Sequence, residues 1–195
     1  MKMVTDYISA NSERFLVELA GLIRIPSVSA REENREDMFR AADYLKDSLL
    51  KAGATRAGIF QTAGHPVVYA EKIIGNDRPT VLVYGHYDVQ PAEPLEQWKT
   101  EPFEAVIKDG RIWGRGADDD KGQLFMHVKA FEIMNNTGTL ACNIKFMIEG
   151  EEEIGSANLE KFCSDNREML AADVILISDT TMVAEGIPSI TSGLR

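Results

Sequence analysis

At 195 residues, with 44% apolar and 27% charged side chains, the chain has the size and composition of a globular protein with one core. A formal net charge of −10 argues against nucleic acid or an anionic membrane surface as the main partner. Cys142 and Cys163 make no disulfide framework and no stretch reaches the apolar length of a membrane span, so a reduced, soluble, cytoplasmic protein is expected.

Apolar spacing predicts a helix from about Thr5 to Ile23, with Phe15, Leu16, Leu19, Leu22 and Ile23 on its inner face; Pro26 ends it. A second helix runs from about Glu32 to Lys51 on a stripe of Met38, Ala42, Leu45 and Leu49, with Gly53 as its stop. Strands are expected near 55–61, 66–74 and 80–85, followed by a polar loop of 17 residues, "DVQPAEPLEQWKTEPFE". Asp109-Gly110 signals a hairpin. A helix then opens near Asp119 or Asp120, runs to about Asn135 and buries Leu124, Val128 and Phe131. A strand over 140–148, a helix over 156–169, a buried strand over 173–179 and an extended "IPSITSG" complete the order. Strands alternating with helices predict an α/β fold, a mostly parallel mixed sheet between two helical layers.

The strand ends carry the chemistry. "TVLVYGH" runs into His86 and Asp88, "NIKFMIEGEEE" into Glu152 and Glu153, and "VILISD" into Asp179. "GRGADDDKG" places Asp119 between a glycine-rich turn and a helix start. Ligands bind beyond the carboxyl ends of strands in open α/β sheets, and imidazole with carboxylate oxygens suits Zn²⁺ or another first-row divalent cation. Taken singly, each has a plainer reading: Asp119 or Asp120 as a helix cap, "EGEEE" as a solvated loop, Asp179 as a cap. His65 and His127 read as structural.

Together, "YGHYDVQP", "PFEAVIKDGRIWGRGADDDKG", "IEGEEEIGS" and "LISD" resemble, in order and spacing, the M20 family of metallopeptidases, and most closely its carnosinase-like dipeptidase branch. The "LIRIPSVSA" after the first helix shares in the resemblance. It implies a zinc-exopeptidase-like catalytic domain with two divalent metal ions, Zn²⁺ first and Mn²⁺ or Co²⁺ as alternatives. His86, Asp119, Glu153 and Asp179 would be metal ligands, with Asp119 bridging. Asp88 would orient His86, and Glu152 would be the general base. The implied reaction is hydrolysis of the amide bond of a dipeptide or short peptide by a metal-bridged water. An N-acyl amino acid deacylase or desuccinylase, or a non-catalytic metal-binding module, is the alternative. The family's chain is roughly twice as long. Residues 1–195 are therefore expected to be the N-terminal part of the catalytic domain, inactive alone. A lid domain that makes a homodimer and a C-terminal catalytic segment would lie outside it. Asp118 and Glu151 depart from the family's pattern by adding negative charge.

Overall fold

Alternation along the strands decides the layering of this protein, for which a computed structural model describes residues 2–184, 186, 187 and 189. Helix α1 (Lys2–Ile23) and, after a 3-10 turn at Glu32–Asn34, helix α2 (Arg35–Ala52) lead into β1 (Arg56–Phe60), β2 (Val67–Lys72) and β3 (Thr80–His86). A small hairpin, β4 (Val106–Lys108) and β5 (Arg111–Trp113), precedes α3 (Lys121–Asn136). Then come β6 (Asn143–Glu149), α4 (Leu159–Asp165), α5 (Arg167–Leu170) and β7 (Val174–Ile177).

The main sheet has the order β1-β2-β6-β3-β7, with β6, β3 and β7 parallel and β1 and β2 antiparallel. Val68, Ala70, Val83, Phe146 and Ile148 point to one face, where Met38, Leu45 and Leu49 of α2 and Leu124, Val128 and Phe131 of α3 cover them. One residue out of phase, Val67, Tyr69, Leu82 and Met147 face Phe162 of α4 and Leu170 of α5. The result is the expected mixed sheet between helical layers. The chain leaves β3 over one face and β6 over the other, which puts the ligand-binding crevice of such sheets at the carboxyl end of β3.

The second helix, its stripe and its stop match the structure, with Gly53 left-handed at φ 110°. Asp109 and Gly110, at φ 53° and 72°, turn the hairpin as expected. Three expectations need correction. The helix over 156–169 is two short ones, broken at Asn166, whose side-chain amide bonds back to the Phe162 carbonyl. Leu16 faces outward on α1. The strand over 173–179 is not buried: Val174, Ile175, Leu176 and Ile177 are 53, 63, 39 and 53% exposed, because β7 lies at one edge of the sheet and, among the described residues, the helices that cover β2, β6 and β3 do not pack over it. Most of "IPSITSG" lies outside the described residues. No helix among those described is long and apolar enough to cross a membrane.

Candidate metal centre

Register brings the site together. His86 pairs with Glu149 across the parallel β3–β6 ladder. On the other side Tyr84 pairs with Ile177, so two residues further along His86 comes level with Asp179. The third element is the N-terminus of α3. Asp120 occupies the cap position there but makes no capping bond; its Oδ2 instead accepts the His86 backbone N–H at 3.0 Å. That bond fixes the turn whose preceding residue is Asp119.

The buried His86 ring therefore sits among acids. Its Nε2 lies 3.1 Å from Asp119 Oδ1, 3.5 Å from Asp179 Oδ2 and 3.9 Å from Glu152 Oε2. Its Nδ1 faces Asp88, 3.4 Å from Oδ1 and 3.1 Å from the backbone carbonyl. Such acceptors hold a proton on Nδ1 and leave the Nε2 lone pair aimed at the carboxylates of Asp119 and Asp179. Lone pairs facing one another need a proton or a cation between them. Without a cation the proton wins: burial opposes the charge on His86, but Asp88, Asp120 and Glu152 push its pKa up to about 10. Burial likewise raises Asp120 to about 7, and its Oδ1 has no hydrogen-bond partner among the described residues. His86, Asp119 and Asp179 present three donor atoms within 4.8 Å of one another, a set of hard oxygens and imidazole that fits a divalent cation.

Asp88 is the hub behind this cluster. Its fully buried carboxylate takes the Ser29 hydroxyl at 2.7 Å and the backbone N–H groups of Glu152 and Glu153 at 3.2 and 3.0 Å, besides facing His86. The two glutamates point differently. Glu152 turns toward His86, while Glu153 Oε2 accepts a 2.7 Å bond from Gln90 Nε2 and lies outside the three-residue cluster. Burial raises the Glu153 pKa, the Gln90 bond opposes that, and the charge of Asp119 raises it further.

Three residues given no role in the sequence reading, and Asp120, read there as a possible helix cap, support these. Glu149 at the end of β6 is buried, and accepts the hydroxyls of Tyr84 (2.5 Å) and Ser156 (3.0 Å). Lys121 is wholly buried, its amine on the carbonyls of Leu22 (3.2 Å) and Ile25 (2.6 Å), and burial drives its pKa down to about 7. Asp120 and Ser29 are the others. Asp120 carried the signal of a helix cap, whose position it does occupy, and Ser29 only its place inside "LIRIPSVSA". The two unusual acids diverge: Asp118 is exposed, whereas Glu151 is buried and bonded by Asn158 Nδ2 at 2.9 Å. Glu151 fits only because residue 64 is glycine, where an added Cβ would lie 1.8 Å from its Oε1.

Residues 82–191 match the family described as peptidase family M20/M25/M40, a span that holds every one of these acids and His86. The chain belongs to that family. It is 37% identical over 195 residues to a cysteinylglycine-S-conjugate dipeptidase of Corynebacterium striatum, covering 96% of this chain and 42% of that protein. Human carnosine dipeptidase 1 superposes with a TM-score of 0.85 at 32% identity, over 93% of this chain and 41% of that one. An M20 family metallo-carboxypeptidase from Sulfolobus solfataricus gives 0.78 at 41% identity, over 84% of this chain and 36% of its own. This chain thus spans less than half the length of the relatives it matches.

Proposed function

We propose that this chain is the metal-holding, water-activating part of a peptidase that hydrolyses dipeptides or short peptides. The observation that carries the reading is the convergence of His86 Nε2 with the carboxylates of Asp119, Asp179 and Glu152 at the strand ends. His86, Asp119 and Asp179 would hold one divalent cation. Asp119 and Glu153, which influence each other electrostatically, would hold a second. Zinc is the first choice, with manganese or cobalt as alternatives. Such cations supply Lewis acidity, making water a nucleophile near neutral pH and polarising the scissile carbonyl.

The chain's own residues do the rest. Asp88 keeps the proton on His86 Nδ1, so that Nε2 always faces the site. Glu152, partly exposed beside that ring, takes the proton from the attacking water and delivers it to the departing amine. Gln90 holds Glu153 aside, so that two adjacent carboxylates serve different tasks. The resemblance to dipeptidases supports a dipeptide substrate, while that to a carboxypeptidase favours release of a C-terminal residue from longer peptides as a second reading. Residues 1–195 would be the N-terminal part of the catalytic domain in a cytoplasmic protein, which dimerises through a lid domain.

In a chain extended to the relatives' length, Glu152→Gln should nearly abolish turnover with metal content kept. Glu153→Gln should lower metal content instead. Metal analysis beside assays of dipeptides, longer peptides and N-acyl amino acids separates these roles. The reverse pattern would exchange the two glutamates, and turnover of N-acyl amino acids alone would make the protein a deacylase.

A further inference from the structure

The segment between α1 and α2 runs alongside residues 87–89 and is stitched to them. Ser27 Oγ donates to the Tyr87 carbonyl at 2.7 Å, and the Val89 N–H donates to the Ser27 carbonyl at 2.9 Å. Between these bonds lies the 2.7 Å contact from Ser29 Oγ to Asp88 Oδ2, with both residues buried. A carboxylate offers about four lone-pair positions. On Asp88 they face four donors: His86 Nδ1 and the Glu152 N–H at Oδ1, Ser29 Oγ and the Glu153 N–H at Oδ2. The serine hydroxyl makes the shortest of the four, and it alone comes from outside the β3 and β6 strand ends. Ser29 is itself braced, since its carbonyl meets His65 Nε2 at 3.0 Å.

We infer that Ser29 is a positioning residue for the metal centre, fixing the rotation of the Asp88 carboxylate and through it the His86 ring and the Glu152–Glu153 backbone together. The two halves of the site, imidazole and acid pair, share that one carboxylate. With the hydroxyl gone, Oδ2 keeps a single donor in a buried place. The carboxylate is then free to rotate toward a better-satisfied pose, and both halves lose their common reference. The same segment reaches the third part of the site, because the Ile25 carbonyl accepts from Lys121, two residues after Asp119. The inference rests on the metal-centre reading for its functional weight, but the geometry it describes exists without metal.

The test uses the metal-free chain first. With folding checked by circular dichroism, Ser29→Ala should shift the His86 imidazole ¹⁵N resonances and the Glu152 and Glu153 amides, and Ser29→Thr should restore them. Zn²⁺ titration by calorimetry should then show affinity about tenfold lower for Ser29→Ala, the lower end of what lost support behind a ligand costs, and wild-type affinity for Ser29→Thr. Unmoved resonances in folded Ser29→Ala, or Ser29→Thr as impaired as Ser29→Ala, would overturn the inference. Should the wild type bind no zinc, the metal reading falls while the resonances still decide the role of Ser29. Ser29→Cys, close in volume and a weak donor, takes the place of the alanine variant if that one does not fold.

Discussion

Strands β3 and β7 are hydrogen-bonded neighbours with similar apolar sequences, yet they live in different surroundings. Leu82 and Val83 of β3 are almost wholly buried, while all four residues of β7 are exposed. The ends of the strands differ likewise. His86 is gripped by Asp120 on its backbone and Asp88 on its ring, whereas among the described residues Asp179 shows no comparable support. An apolar strand is buried only as far as something covers it, and among the described residues β7 has a strand neighbour on one side alone and no helix packed into a core with it. The candidate site thus joins a well-held side chain at the end of β3 to a less supported one just beyond β7.

The sharpest way to break that contrast is a pair of neighbouring truncations. Leu82 and Ile175 face each other in register. Leu82→Ala should cost about 2–5 kcal/mol of unfolding free energy, as buried leucine truncations do. Ile175→Ala, at an exposed edge, should stay within about 0.5 kcal/mol. Urea denaturation measures both, and equal losses would mean that β7 is covered in solution.

The pH dependence sharpens the same contrast at His86. A histidine whose pKa rises on folding adds stability that is complete below its unfolded value of about 6.5. That stability is lost as pH climbs through the folded value of about 10. The metal-free chain should therefore lose stability between these limits. Divalent cation affinity should rise over the same range, by up to about tenfold per pH unit while one proton is displaced. Denaturation curves and titrations at three pH values check the opposite slopes, and parallel slopes would remove His86 from the site.

A smaller effect concerns association. The apolar edge of β7 is a template for pairing with another chain, so this chain should self-associate at high concentration. Lysine at Ile175 and Ile177 should shift sedimentation velocity profiles toward monomer with little change in folding. An unchanged profile would place the association elsewhere.

Much of this architecture was legible where a residue's role is local. The Met38–Leu49 stripe of α2, the left-handed Gly53 and the Asp109-Gly110 turn each depend on spacing or on one residue's backbone preference. The strand ends bearing His86 and Asp179 could be read because β-structure is periodic. What escaped depends on distant partners. Ser29 meets a carboxylate 59 positions away, and nothing in "PSVSA" distinguishes it from Ser27. Glu152 and Glu153 are alike in composition, so only the family resemblance gave them different tasks; what it did not give is the 3-10 turn at Glu152–Ile154, which aims one toward His86 and the other toward Gln90. The exposure of β7 was hidden for the same reason, since apolar composition says what a strand would bury and not what is there to bury it.

The central claim is that β3, β7 and the start of α3 together build one cation site. Calorimetric titration of Zn²⁺ into metal-free wild type, His86→Ala and Asp179→Ala tests it most directly. The account predicts binding to the wild type, loss of about a hundredfold or more for His86→Ala and a smaller but clear loss, about tenfold, for Asp179→Ala. Unchanged affinity in both variants would contradict it.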